Sequence, residues 1–375
     1  MTRGRPTAVI YLADPADAAA AALTVAGRPV VFRSVASAVR AGAERVLVPE
    51  RFRDLLTPAL ASAPRVARAI TWLHPSMTPP DAAVLVPATA VVGVAAVAAV
   101  VVTPPPAVHP ASRDAGIAVV HAPAPVVSAL WAALVEGEAV GSALATLTKD
   151  ARDAHAPAVV QRVRDADSAR EGERQLYTTL GSAIDTRLDT VFHRAFSRHV
   201  SRAAVACGIT PNTVTIASLL VGLVATWLFW NATPVYAVLG LVAYAVAVIL
   251  DHADGEVARL TLTESAIGEW LDIAADTVIH AGVVLAMGVT SGTAPLGILA
   301  AAGVIAGAAV SKVWPVVGTA LSGVGNRDGF YAMLLGFIVL RAYAPSLLPW
   351  LMVVVALGTH AYWVARVVYR LTRGA

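Results

Sequence analysis

From Pro211 onward the chain is dominated by six apolar stretches, at about 211–230, 234–258, 265–289, 293–315, 328–343 and 346–370, joined by short links. Most are long enough, as helices, to cross the hydrocarbon core of a bilayer. The expected architecture of this half is therefore an α-helical integral membrane domain with six transmembrane helices. The basic residues orient it. If the six stretches alternate in direction, Arg202, Arg259, Lys312, Arg327, Arg366, Arg370 and Arg373 fall on one side and only Arg341 on the other. Cytoplasmic loops carry the excess of Lys and Arg. Both termini, and the polar segment 251–276, are thus expected on the cytoplasmic side of the cell membrane.

That segment reads DHADGEVARLTLTESAIGEWLDIAAD and contains four aspartates: Asp251, Asp254, Asp272 and Asp276. A carboxylate at bilayer depth costs roughly 2.5–3.5 kcal/mol on insertion scales, and four together would cost on the order of 10 kcal/mol. One Arg, Arg259, lies within the segment. Asp251 and Asp254 are three apart and share a helix face, and Asp272 and Asp276 are four apart on the next helix. The eight residues 260–267 let the chain reverse, so two antiparallel helices can present four carboxylates to one another.

Like charges this close do not all stay ionised without a cation. An all-oxygen ligand set selects Mg²⁺, Mn²⁺ or Ca²⁺ over zinc. A pair of such ions can clamp the attacking and leaving oxygens of a displacement at phosphorus. Gly255, Ala258 and Gly268 are small enough for a ligand to approach the backbone, and Arg259 offers a bidentate fork to phosphate. Together these residues suggest a nucleotide-diphosphate site.

The spacing D-x2-D-G-x2-A-R-x8-G-x3-D-x3-D, carried here by Asp251, Asp254, Gly255, Ala258, Arg259, Gly268, Asp272 and Asp276, resembles the signature of the CDP-alcohol phosphotransferase family. The segment TPNTVT before the first span is similar to that family's Pro-Asn-x-x-Thr. The resemblance covers about residues 177–375. It implies a CDP-alcohol donor such as CDP-diacylglycerol or a CDP-polyol, a hydroxyl acceptor, release of CMP, and two Mg²⁺ or Mn²⁺ ions. By position it implies that Asp251, Asp254, Asp272 and Asp276 bind metal, with Asp276 also the general base. Gly255, Ala258, Arg259 and Gly268, with Asn212 and Thr215, would form the nucleotide pocket. Lys312 and Arg327 would contact a phosphorylated acceptor, unless they serve only as positive-inside anchors. A membrane-lipid environment and a homodimer are expected. His252 fills a variable position of the motif and receives no role.

The first half reads differently. TAVIYLA, ERVLVPE and DAAVLVPATAVV read as strands and SVASAVRAGA as a helix, which suggests an N-terminal soluble α/β domain with a mainly parallel sheet. The run 82–102 is long enough to span a membrane. Weakly hydrophobic Ala and Val, the interruption at Pro87 and the closing TPPP favour two buried strands around a turn. Residues 103–125 are Pro-rich and read as loop, and 150–175 as a charged linker or solvated helix. Beyond that, Arg187, Arg194, Arg198 and Arg202 alternate with apolar residues, as in a helix lying in the membrane interface. The expected domains are 1–150, a linker with that helix at 151–210, and 211–375.

The opening of the chain resembles a nucleotidyltransferase, as fused to the membrane enzyme in bifunctional inositol-phosphate cytidylyltransferase/di-myo-inositol-phosphate-phosphate synthases. Such an enzyme needs a Gly-rich, Arg-containing loop after its first strand to hold a triphosphate. Here that place reads DPADAAAAAL, without glycine or a basic residue. VLVPATAVV also lacks the expected acidic ligand. The domain is therefore expected to be degenerate, and an unrelated α/β regulatory module is the competing reading. For the whole chain, a bifunctional enzyme or a catalytically inactive membrane scaffold are the alternatives.

The composition agrees with a membrane protein carrying a soluble part: 57% of residues are hydrophobic and 14% charged. A net charge of +3 gives no indication of a nucleic-acid partner. The single cysteine, Cys207, excludes an internal disulfide. No cleaved signal peptide is expected from MTRGRPTAVIYLADPADA.

Overall fold

A computed structural model describes residues 6–181, 185–231, 233–314 and 327–373. The chain divides into two compact units, residues 1–180 with 260–263, and residues 181–259 with 264–375.

The elements of the first unit are, in order, β1 (Thr7–Tyr11), a 3₁₀ turn (Pro15–Ala22), β2 (Thr24–Val25), β3 (Arg28–Pro29), α1 (Val30–Arg40) and β4 (Arg45–Val48). Then come α2 (Arg53–Leu60), α3 (Pro64–Ala69), β5 (Ile70–Trp72), β6 (Ala82–Pro87), β7 (Ala90–Val92), α4 (Val94–Val102) and β8 (Ala107–Val108). They are followed by α5 (Pro110–Asp114), β9 (Val120–Pro123), α6 (Ala124–Glu136), α7 (Gly141–Leu147), β10 (Arg152–Asp153), β11 (Val160–Arg162) and α8 (Ala166–Thr178).

The main sheet has the strand order β10-β8-β9-β6-β1-β4-β5. β1 lies near its centre and pairs in parallel with both β4 and β6. Ala8, Val9, Ile10 and Tyr11 are buried, the continuous apolar run of a strand covered on both faces. β9 runs antiparallel to β6 and β8, so the sheet is parallel only in part.

Three stretches differ from their sequence reading. The run 82–102 does form two buried strands around a turn, but its last nine residues are the helix α4, which buries Ala96, Val97 and Val100. Gly93 separates the two habits of the run. The Pro-rich stretch 103–125 holds β8, α5 and β9. Pro110 occupies the start of α5, where the missing N–H is no loss and φ is preset for helix. Segment 150–175 contributes two short strands, then α8, whose start is fixed by reciprocal Asp165 and Ser168 capping bonds.

The second unit begins with a π-type turn (Asp189–His193) that runs into α9 (Arg194–Ala206). It continues with α10 (Pro211–Trp230), α11 (Pro234–Thr261), α12 (Ala266–Thr290), α13 (Ala294–Val313), α14 (Arg327–Tyr343) and α15 (Leu348–Arg373). Among the described residues, five helices are long and apolar enough to cross a membrane: α10, α11, α12, α13 and the segment containing α15. These suggest a multi-pass membrane protein. The fifth expected span, 328–343, is the 17-residue helix α14, shorter than the others and charged near both ends.

The interfacial helix is also refined. Val191, Phe192 and Phe196 are exposed, as an apolar interfacial face requires. Yet Arg194, Ser197, Ser201 and Ala204 form a buried stripe. α9 therefore seats polar groups within the unit as well as offering apolar ones outward.

Small residues set the spacing of the long helices, as is usual where apolar burial alone does not drive helices together. A Cβ on Gly222 would lie 2.3 Å from Ile279 of α12, and one on Gly303 would lie 2.4 Å from Thr359 of α15. At Gly288 of α12 it would lie 2.4 Å from the Cα of Gly297 on α13, so backbone meets backbone there. Gly336 has nothing within 4 Å of the same position. Gly288→Ala is therefore expected to destabilise the folded protein by about 1–3 kcal/mol through overpacking, whereas Gly336→Ala leaves it unchanged or slightly more stable. Thermal unfolding of the two variants in detergent checks this, and equal midpoints would contradict the close contact.

Candidate metal and nucleotide site

Asp251 and Asp254 occupy successive turns of α11. Leu262 takes φ 61°, a left-handed conformation that helps the chain reverse, and Ser265 caps α12 by accepting from the Gly268 N–H at 3.0 Å. The cap fixes where α12 begins, and so fixes Asp272 one turn beyond Gly268.

Asp251, Asp254 and Asp272 each offer a carboxylate oxygen, and these atoms lie within 4.8 Å of one another. Asp254 is 5% exposed, and its Oδ2 accepts from Thr215 Oγ1 of α10 at 2.5 Å. Asp276 is not in this group of three. It lies one turn further along α12, and its Oδ2 is 3.7 Å from Arg327 Nη2. The same Nη2 donates to Asp251 Oδ2 at 2.7 Å. The Arg327 guanidinium thus faces two of the four aspartates, Asp251 and Asp276. A second arginine, remote in sequence, joins Arg259 in the region.

Four of the six residues expected to form the nucleotide pocket fall into two pairs, and Thr215 instead donates to Asp254. A Cβ on Gly255 would lie 3.4 Å from Arg259 Nη1, so glycine leaves room beside that guanidinium. The Nε of Arg259 is buried and has no hydrogen-bond partner among the described residues. A buried donor of this kind is costly unless a ligand satisfies it. A Cβ on Gly268 would lie 3.2 Å from Asn212 Oδ1, which places α10 and the start of α12 side by side. Ala258 is half-buried on α11, four residues after Asp254. The clustered oxygens suit a hard divalent cation, and the unpartnered Arg259 donor suits a phosphate. The residues present therefore fit both groups.

Lys312 is placed differently from Arg327. Its ammonium pairs with Glu269 and lies 5.4 Å from the Trp270 ring centroid, with no ion pair to the four aspartates among the described residues.

Several polar residues near the site had no role in the sequence reading. Glu256 is fully buried and accepts from Arg194 Nη1 at 2.9 Å, Ser197 Oγ at 2.8 Å and Ser201 Oγ at 2.5 Å. Arg194 also forks onto Asp185 at 2.9 and 3.0 Å. The buried stripe of α9 thus neutralises an acid of α11 and anchors the segment that carries Asp251 and Asp254. Beside it, Asp189, His193 and His252 bring ligand atoms within 4.8 Å of one another, all three buried. Burial pushes the Asp189 carboxyl up, but hydrogen bonds from His193, His252 and the Thr186 N–H, with the nearby Arg327, outweigh it and hold it well below the usual carboxylate range. The i,i+4 spacing of Asp189 and His193 was a readable sign of a shared helix face. Their partners on α11 and α14 lie too far along the chain for spacing to disclose.

A search of curated proteins finds no match to the chain. The helical unit does have a counterpart: residues 208–359, which include all four aspartates, match the family model described as CDP-alcohol phosphatidyltransferase.

Proposed function

We propose that the second unit catalyses metal-dependent transfer of a substituted phosphate from a CDP-alcohol to an acceptor hydroxyl, releasing CMP. The observation that carries this reading is the convergence of Asp251, Asp254 and Asp272 from two apolar helices within a stretch that matches the family. The donor would be a CDP-diacylglycerol or CDP-polyol and the product a phospholipid or polyol phosphate. α14 would serve as the fifth of six spans, with the site and both termini cytoplasmic and the enzyme a homodimer.

Asp251, Asp254 and Asp272 would hold Mg²⁺ or Mn²⁺, with Asp276 completing a two-ion site. Bound divalent ions supply charge stabilisation on the pyrophosphate and on departing CMP. Arg259, with its unpartnered Nε, would bind a phosphate of the donor. Gly255, Ala258, Gly268, Asn212 and Thr215 would shape the pocket. The acceptor oxygen forms a bond to the β-phosphorus, the bond from that phosphorus to the CMP oxygen breaks, and Asp276 takes the hydroxyl proton. Arg327 would contact a phosphorylated acceptor, whereas the Glu269 pairing of Lys312 makes it the weaker candidate.

The first unit would be a cytidylyltransferase-like module without catalysis. The place for a phosphate-cradling loop is the alanine-rich turn Pro15–Ala22, where Asp14 accepts from the Ala16 N–H. Asp17 on that turn is buried, and Arg162 donates to it at 2.5 and 2.9 Å. The nearby guanidinium is thereby already neutralised.

Two outcomes follow. With CMP release followed across a panel of CDP-alcohols and acceptors, Asp276→Asn is expected to lose turnover by about 10²-fold or more while keeping CDP-alcohol binding better than Asp251→Asn does. Equal loss of donor binding would remove the distinct base role, and wild-type turnover would remove Asp276 from the mechanism. With CTP, Mg²⁺ and a set of sugar or polyol phosphates, the full-length protein is expected to release no pyrophosphate. Stoichiometric, CTP-dependent release would make the protein bifunctional.

A further inference from the structure

Arg327 is held from two sides. Its Nη2 donates to Asp251 Oδ2 at 2.7 Å. Its Nη1 lies 3.4 Å from Asp189 Oδ1 and 3.1 Å from His252 Nε2. Asp189 is itself fixed: Oδ2 accepts from the Thr186 N–H at 3.0 Å, and Oδ1 accepts from His193 Nδ1 at 3.0 Å. Because a carboxylate only accepts, His193 carries its proton on Nδ1, and its Nε2 accepts from the Tyr331 hydroxyl at 2.8 Å. His252 Nε2 donates to Asp189 Oδ1 at 3.1 Å, which leaves Nδ1 to accept from Arg327 Nη1 at 3.0 Å. Thr186, His193, Tyr331 and His252 thus build a buried cradle around the Asp189–Arg327 contact.

The donor set Asp189, His193 and His252 would also suit a transition metal. The guanidinium already fills that place, at hydrogen-bond distance from His252 and facing Asp189, so the cradle's cation is Arg327 itself.

The consequence concerns Asp251. A guanidinium beside a metal-binding carboxylate competes with the metal for it. Only one arm of Arg327 reaches Asp251, and Asp276 lies 3.7 Å away. Its other arm is drawn off toward Asp189. We propose that Asp189 is a positioning residue that restrains Arg327, with His193 and His252 fixing it, so that the oxygens of Asp251 and Asp276 stay available to a divalent cation. This rests on the reading of Asp251 as a metal ligand given above.

The test is a double-variant cycle on the full-length protein, with Mn²⁺ binding read directly by electron paramagnetic resonance. Asp189→Asn keeps the side-chain size, removes the restraining charge and lets Arg327 close on Asp251 and Asp276. It is expected to weaken Mn²⁺ binding by about 10-fold or more, the range for partners that orient metal ligands. In an Arg327→Gln background the same Asp189→Asn change is expected to have no effect, because it acts only through Arg327. A purely structural role would weaken binding equally in both backgrounds and would overturn the proposal. So would unchanged Mn²⁺ affinity in Asp189→Asn, or an extra bound Mn²⁺ that disappears in His193→Gln. If Asp189→Asn does not fold, His193→Gln loosens Asp189 without removing its charge and must show the same dependence on Arg327. Absence of Mn²⁺ binding in the wild-type protein would instead defeat the metal reading of Asp251.

Discussion

The mutual repulsion of acids gathered between apolar helices is the constraint on which the rest of the second unit depends. Asp251, Asp254 and Asp272 bring oxygen atoms within 4.8 Å of one another, with Asp254 buried and the other two half-buried. Such a cluster persists only with cations, with donated hydrogen bonds, or with both. The protein supplies part of the compensation: the Thr215 hydroxyl on Asp254 and the Arg327 guanidinium on Asp251. In the proposed chemistry divalent ions would supply the rest.

The neighbouring elements extend this balance. Glu256, next to Gly255 on α11, is fully buried with three donors from α9. A buried acid paired in this way holds two helices in one register, since removing a partner leaves an uncompensated charge at a cost of about 3–5 kcal/mol. α9 therefore couples an outward apolar face to an inward polar one. Asp189, just before it, extends the network to α11 and α14. Helix ends that would otherwise be tied only by short links are thus held where the aspartates need them.

How much of this was legible follows from physical range. The long apolar helices and the spacing of the four aspartates are local properties, carried by consecutive residues, and the sequence displayed both. The β-strands around Val9, Leu47 and Leu85 were readable because buried parallel strands are continuous apolar runs. The helix α4 was hidden in a run whose Val and Ala content suits either habit, and α5 behind prolines that begin a helix as readily as they break one. The approach of Arg327 to Asp251 and Asp276, the pairing of Lys312 with Glu269 and the contacts of His252 and Glu256 depend on helices distant in sequence. No periodicity reports these. His252 looked like a spacer because Asp189 and Arg327, which it meets, are remote from it in the chain. Asp189 and Arg327 are separated in the chain by four long helices and meet only in the folded protein.

The central claim is that these carboxylates exist to bind divalent cations for phosphotransfer. The most direct measurement is CMP release by the purified full-length protein from a CDP-alcohol it accepts, before and after metal removal with excess EDTA, and again after Mg²⁺ or Mn²⁺ is restored. The account predicts that turnover disappears with chelator and returns with the metal. Undiminished CMP release in excess EDTA would contradict it.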